Sequence, residues 1–277
     1  MIPKIIHYCW LSGDPFPAEY QRCMDTWKAK LPDYEFILWD TQRFDIHSVA
    51  WTKQASETQL YACAADYIRL YAVYTYGGIY LDTDMEVVKP FDDLLDSGLM
   101  LAYENHISEN LEAGCFGAEK GHPYIKKCLE YFEGRNLFAP ALLSKIQGLP
   151  KAERHDFISP LLSPEIMKQA LDAYVTGAKP VVFPNDYFTA RNIVTGEIEA
   201  TGNTYTIHHF GAQYHSKEWR MQRELEQRTY VLFGERQFKA KIIVALVRLF
   251  HRLDTEGFGK TVKYYFCKKI LRRKVAA

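Results

Sequence analysis

What this chain lacks narrows it first. Its 277 residues include six cysteines, Cys9, Cys23, Cys63, Cys115, Cys128 and Cys267, but no CxxC pair. A disulfide framework is not expected in a chain this long, and buried, reduced thiols in a cytosolic protein are. The opening MIPKIIHYCW has neither the basic n-region nor the long apolar run of a signal peptide. No uninterrupted apolar stretch approaches the roughly 20 residues of a membrane span. The expected setting is the cytoplasm, with any membrane contact peripheral, at the inner face. Internal repeats and low-complexity segments are absent. Outside the C-terminal segment no basic patch with interleaved aromatics occurs, so nucleic acid is not an expected partner.

What is present is a large apolar endowment, 48% hydrophobic and 14% aromatic residues, enough for one sizeable core. Net charge is zero, but it is unevenly spread. Residues 236–277 hold twelve Lys and Arg against two Asp and Glu, so the preceding chain is acidic by the same amount. A basic end on an acidic body points to an anionic partner for that end.

Apolar spacing predicts strands over 4–11, 34–40, 79–88, 99–104, 179–184 and 204–210. Helices are predicted over 18–30, from a Ser56 cap to about Tyr76, and over 122–132 with Pro123 in the first turn. Gly77-Gly78 ends the middle helix. Residues 134–165 read as loops and short helices. The alternation predicts an α/β fold, a mixed sheet flanked by helices. The expected organisation is a catalytic domain over 1–234 and a basic, amphipathic helical tail over 235–277. In that tail Ile242, Ile243, Leu246, Leu249, Phe250 and Leu253 recur at helical spacing opposite Lys239, Lys241, Arg248 and Arg252. Such a tail suits an anionic membrane surface. Its alternative is packing on the catalytic domain with a solvated basic face.

The chemistry concentrates before and after the glycines. The helix ETQLYACAADYIRLYAVYTY is apolar almost all round, yet Asp66 and Arg69 sit three residues apart within it. A buried charge pair commonly costs more in desolvation than it returns. It is therefore either a paired core salt bridge or a device for holding a polar ligand. In the following strand, alternation places Tyr80, Asp82 and Asp84 on one face. Two carboxylates at that spacing suit a hard divalent cation, which can bridge a diphosphate. Haloacid-dehalogenase-type phosphohydrolases also carry Asp-x-Asp after a strand. They want Thr or Val two residues after the second Asp, where this chain has Glu86, and they place the motif on the first strand.

The block AADYIRLYAVYTYGGIYLDTDMEV, with the opening IPKIIHYCWLSG, resembles the DxD sugar-binding glycosyltransferases of family 32 and, more distantly, the catalytic core of clostridial glucosylating toxins. The resemblance is dense over 2–92, thinner to about 220, and absent from the basic tail. It implies a GT-A-type nucleotide-binding fold, a nucleotide-sugar donor with UDP favoured over GDP, Mn²⁺ or Mg²⁺, and transfer with retention of configuration. The family's bacterial members imply a saccharide acceptor in surface polysaccharide or capsule synthesis, and the basic tail, if at a membrane face, adds a lipid-linked saccharide acceptor. Carried over by residue, Trp10 stacks on the nucleotide base, and Asp66 and Arg69 grip the donor sugar and diphosphate. Tyr80 lies near the diphosphate. Asp82 contacts ribose, sugar or metal, and Asp84 binds the metal directly. Asp82, Asp84 and Arg69 are the expected catalytic set.

The family also implies a histidine at a later strand end, followed closely by Ser-Trp. The segment TIHHFGAQYHSKEW offers His208, His209 and His215, with Lys217 and Glu218 between Ser216 and Trp219. His208 and His209 point to opposite faces, and His208 is the preferred third metal ligand. Glu104, Asn105 and Glu112 fall where the sugar and acceptor pocket is expected. No protein nucleophile is expected. The alternatives are a nucleotide-sugar hydrolase on the same fold, or a non-catalytic protein that binds carbohydrate or a membrane surface.

Overall fold

The computed structural model describes residues 1–154, 158, 162–174, 180–211, 217–233, 242–246 and 249. The chain divides into two compact units, Met1–Arg191 with Ile198–Tyr214, and Asn192–Glu197 with His215–Ala277.

The first unit is built on a six-stranded mixed sheet, ordered β2-β1-β3-β6-β5-β7. Its strands are β1 (Ile5–Cys9), β2 (Glu35–Trp39), β3 (Gly78–Leu81), β5 (Leu99–Ala102), β6 (Cys115–Ala118) and β7 (Val182–Phe183). β1 runs parallel to β2 and β3, while β6 runs antiparallel to β3 and β5. A second, two-stranded sheet pairs β4 (Met85–Val87) with β8 (Thr206–His208). The mixed sheet flanked by helices is the class expected from the sequence.

Strand alternation assigns a core to each face of the large sheet. On one face Tyr80, Leu101 and Phe116 pack with α2 (Ala50–Glu57), α3 (Tyr61–Tyr76), α4 (Pro123–Leu129) and α7 (Ser163–Asp172). On the other, Ile6, Ile79, Leu81 and Met100 pack with Trp27 of α1 (Ala18–Lys30) and with Phe91 and Phe188. Two short helices, α5 (Pro140–Gln147) and α6 (Lys151–Arg154), fill the 134–165 region.

Several expectations need correction. Ser56 caps nothing; it lies in the last turn of α2, a helix the spacing did not reveal, and α3 begins behind Leu60 without a side-chain cap. The strand expected over 79–88 is two strands in two sheets. The chain leaves β3 at Leu81, turns with the Met85 N–H donating to the Asp82 carbonyl at 3.0 Å, and re-enters as β4. Asp82 and Asp84 therefore occupy a crossover between sheets, outside the strict alternation assumed for one strand. β6, a central strand, was not expected at all.

Gly77 and Gly78 are needed where they stand. Both have positive φ, 70° and 112°. A Cβ on Gly77 would meet the Lys120 amide at 2.7 Å, and one on Gly78 the Ile5 carbonyl at 2.7 Å. The buried His7 ring locks this turn. Its Nε2–H donates to the Gly77 carbonyl at 2.8 Å, and its Nδ1 accepts from Trp39 Nε1–H at 3.1 Å. Burial holds His7 below the usual histidine range, with the Arg43 charge adding to the effect.

The second unit contains α8 (Lys217–Phe233), where Arg223 donates to the Ile193 carbonyl at 2.5 Å. Of the tail expected from 235 onward, residues 242–246 are helical and the rest, apart from Leu249, lies outside the described residues. No described helix is long and apolar enough to cross a membrane.

Candidate active site

β1 and β3 are parallel neighbours, so their carboxyl ends share one edge of the sheet. In open α/β sheets such edges are where ligands bind. Trp10 follows β1 and Asp82 follows β3 at this edge. Trp10 is half-buried, its indole N–H given to the Asp14 carbonyl at 2.6 Å. Phe16 lies 4.7 Å away, centroid to centroid, and Tyr20 meets the indole edge-on at 6.0 Å.

Arg69 organises the interior of the site. It projects from α3 toward β3, and its guanidinium sits over the Tyr80 ring at 4.8 Å. Nε donates to the Ala65 carbonyl at 3.2 Å, one turn back along α3. Nη1 donates to Asp82 Oδ2 at 3.2 Å and to the Ala113 carbonyl at 2.7 Å. Nη2 faces Asp66 Oδ1 at 3.4 Å. The sequence-predicted pair is thus a triad of charges in which one guanidinium serves two carboxylates. Asp66 also accepts from Ser163 Oγ at 2.8 Å, a contact across 97 residues. Burial raises the Asp66 carboxyl to about 6 despite Arg69. Asp82 accepts from Tyr80 Oη at 2.9 Å, and burial raises its pKa as well, against the pull of Arg69.

Asp84 is engaged differently. Its Oδ2 accepts from the Gly211 amide at 2.7 Å, and its carbonyl from the His209 amide at 3.1 Å. The loop after β8 is thereby clasped to the second aspartate. A Cβ on Gly211 would strike Tyr20 Oη at 2.5 Å, so a larger residue here displaces the Tyr20 ring. Phe210 takes a positive φ of 50°, rare for so bulky a residue, and stacks on His208 with centroids 3.9 Å apart.

The clasp carries His208 into the site. Its Nε2 stands 3.6 Å from Asp84 Oδ1. Asp82, Asp84 and His208 each offer one ligand atom, all within 4.8 Å of one another. His209 is turned away, with Nε2 on Glu86 at 2.9 Å. The opposed faces expected of the two histidines are what the structure has. His208 is shielded from water, which disfavours its charge. The Glu112, Asp84 and Asp82 carboxylates outweigh that and raise it to about 10.

The backbone at Gly114 passes close against this group. A Cβ on Gly114 would lie 3.0 Å from Asp82 Oδ2, 3.0 Å from His208 Cε1 and 2.9 Å from Glu112 Oε1. Only glycine lets the backbone come this close to the three side chains. Two carboxylates and an imidazole with ligand atoms this near one another form a donor set that fits Mn²⁺ or Mg²⁺.

Among the pocket candidates, Glu112 is buried and ionised, lowered by His208 and by hydrogen bonds despite its burial. Glu104 is raised to about 7, chiefly by burial and then by Glu112. Asn105 braces its own loop, accepting the Ile107 and Ser108 amides at 2.8 Å each. Ser163, Thr189 and Gly114 were not foreseen; each reaches the site through tertiary contact without a local motif. Ser216, His215 and the Trp219 side chain lie outside the described residues.

Comparison with known proteins bears directly on this edge. Residues 17–100 match the glycosyltransferase sugar-binding region containing the DXD motif. Inositol phosphoceramide mannosyltransferase 3 of Schizosaccharomyces pombe is 31% identical over 130 residues, covering 45% of this chain and 35% of that protein. Inositol phosphoceramide mannosyltransferase 1 of the same yeast is 24% identical over 205 residues, covering 71% and 61%. The chain thus spans less than two thirds of either relative. Among solved structures, a glycosyltransferase involved in glycosylation of the major capsid of PBCV-1 aligns over 81% of this chain and 98% of its own. The identity is 13% and the TM-score 0.41.

Proposed function

We propose that this chain is a metal-dependent, retaining glycosyltransferase of GT-A type. It moves a hexosyl group from a nucleoside diphosphate sugar to a hydroxyl of a saccharide or lipid-linked saccharide. The observation that carries this reading is the convergence of Asp82, Asp84 and His208, with one ligand atom of each within 4.8 Å of the others, beside the carboxyl ends of two parallel strands.

Asp84 and His208 would hold the cation, with Asp82 completing the set or meeting the donor's ribose. When bound, the divalent ion supplies Lewis acidity to the departing diphosphate. Arg69 aims Asp66 and Asp82, favours their charged forms against burial, and brings a positive charge to the anionic donor. Asp66, fixed by Ser163 and Arg69, is placed to accept from a sugar hydroxyl. The Tyr80 hydroxyl orients Asp82. Trp10 gives the nucleotide base an aromatic surface. The acceptor hydroxyl attacks from the face the diphosphate leaves, and its proton passes to the leaving phosphate, so no protein nucleophile is required.

A UDP-sugar is the first donor to try. The relatives' names add a mannosyl donor and point to a lipid-linked acceptor. Such an acceptor, whether a glycolipid or a growing surface glycan, agrees with a basic C-terminal segment placed at an anionic membrane face. Incubation with a panel of UDP- and GDP-sugars and Mn²⁺, with and without glycolipid acceptors, tests the reading. Transfer to acceptor supports it. Equal release of free sugar with and without acceptor makes the protein a hydrolase, and no turnover or donor binding across the panel overturns the assignment.

A further inference from the structure

The third proposed ligand, His208, is held by a residue that no motif announces. Glu112 is 1% exposed and precedes β6. Its Oε2 accepts from Thr189 Oγ1 at 2.6 Å and from His208 Nδ1 at 3.0 Å. Its Oε1 accepts from the Gly114 amide at 2.6 Å and lies 3.2 Å from the same His208 nitrogen. Three donors thus converge on one buried carboxylate. The same strand segment is anchored by the Glu112 amide donating to the Ala102 carbonyl at 2.9 Å, and the His208 amide donates to the Thr189 carbonyl at 2.9 Å. Both ends of the Glu112–His208 contact are therefore fixed through the backbone, and Phe210 covers one face of the ring.

A carboxylate that already takes Thr189 O–H and Gly114 N–H can only accept from the ring, so Nδ1 carries a hydrogen. That leaves Nε2 as the nitrogen whose lone pair can meet a cation, and Nε2 is the atom facing Asp84. A ligating histidine ordinarily gives its other ring N–H to a carboxylate or carbonyl, which sets the tautomer and strengthens the metal bond. Here that partner is built in before any ion arrives.

We propose that Glu112 is the positioning residue of this site, fixing the His208 tautomer and ring orientation for a divalent cation, with Thr189 and the Gly114 amide holding Glu112 in turn. This rests on the proposed metal site and adds a residue to it. Glu112 is not a ligand, and it is not a base toward the substrate: its oxygens are consumed by protein donors. The negative charge matters as well as the shape, because the carboxamide of a glutamine presents one acceptor and one donor to three groups that all donate.

The experiment is Mn²⁺ titration without nucleotide, by calorimetry and by the electron paramagnetic resonance signal of free Mn²⁺. It is run on the full chain as wild type, Glu112→Gln, Glu112→Asp and Thr189→Val. Expected are one site in the wild type, about 10- to 100-fold weaker affinity for Glu112→Gln, partial recovery in Glu112→Asp, and a smaller loss for Thr189→Val. Each variant is first checked for a wild-type circular dichroism spectrum. Should Glu112→Gln not fold, Thr189→Val carries the test, and unchanged Mn²⁺ affinity there overturns the proposal. Wild-type affinity in a folded Glu112→Gln overturns the positioning role while leaving the metal site standing. No Mn²⁺ binding by the wild type overturns the metal site and the role of Glu112 with it.

Discussion

Two buried histidines mark opposite regimes in one unit of this protein. His7, in the middle of β1, faces a tryptophan N–H and a glycine carbonyl, and burial holds it neutral. His208, at the end of β8, faces three carboxylates that push it up to about 10. Their burial is similar, 0% and 9% exposed, so burial does not separate them. The company each ring keeps does. Neutral backbone and indole partners make His7 a structural pin for the Gly77-Gly78 turn. A ring of acids makes His208 part of a place that attracts positive charge. The His7 ring is satisfied by neutral partners, whereas His208 stands in a cluster of carboxylates beside the carboxyl ends of the parallel strands.

The widest separation between the two regimes should come from Asp84→Asn. Removing the charge of the proposed direct ligand is expected to lower turnover by about 10²–10³-fold. The melting temperature should stay near the wild-type value; transfer at near wild-type rate would remove Asp84 from the metal. The converse is expected for His7→Ala. It strands the Trp39 N–H and the Gly77 carbonyl, costing about 2–4 kcal/mol by denaturant titration. Mn²⁺ affinity in the fraction that remains folded should hold. A loss of Mn²⁺ affinity matching that of an Asp84 variant would erase the distinction between pin and site.

Trp10→Ala tests whether the carboxyl-end edge extends to the nucleotide. Affinity for a nucleoside diphosphate, measured by calorimetry, should weaken by about 1–3 kcal/mol, by analogy with base–aromatic stacking. Unchanged affinity would confine Trp10 to packing against Phe16 and Tyr20. The smallest effect is on pH. The folded pKa of His7 lies below 6.5, so the unfolded chain binds this proton more readily. The His7 contribution to stability is therefore complete above that value and is lost as pH falls through it toward the folded pKa. His7→Gln should flatten this acid limb in a series of denaturant titrations. An unaltered slope would show that other groups set it.

Local motifs made much of this site legible. Asp66 and Arg69 were visible as charges in a helix apolar all round, the glycine pair as a helix stop, and the two aspartates by their spacing. Alternation gave His208 and His209 opposite faces, and the choice of His208 between them rested on the family resemblance. What escaped has a common physical origin. Cys115–Ala118 is a four-residue segment with a glycine and no β-branched residue, and its strand character comes from sitting between β3 and β5. Gly117 fits there because a Cβ would press on Ile79 at 3.0 Å. Glu112 meets its histidine across 96 residues, and Ser163 meets Asp66 across 97. No window of sequence contains both partners. The continuous strand assumed through 79–88 failed because period-two apolarity persists on both sides of a turn, and pairing with β8 is decided elsewhere in the chain. Ser56 was read as a cap because Ser is a good one; the α2 helix that absorbs it ends only a few residues before α3 begins.

The most direct measurement is a crystal of the full chain grown with Mn²⁺ and a nucleoside diphosphate, with anomalous scattering recorded at the manganese edge. The predicted result is one peak among Asp82, Asp84 and His208, bonded to Asp84 and His208 Nε2, with Asp82 and the diphosphate at or beside it. A peak elsewhere, or none while His208 and Asp84 keep their present contacts beside a bound nucleotide, would contradict the metal site.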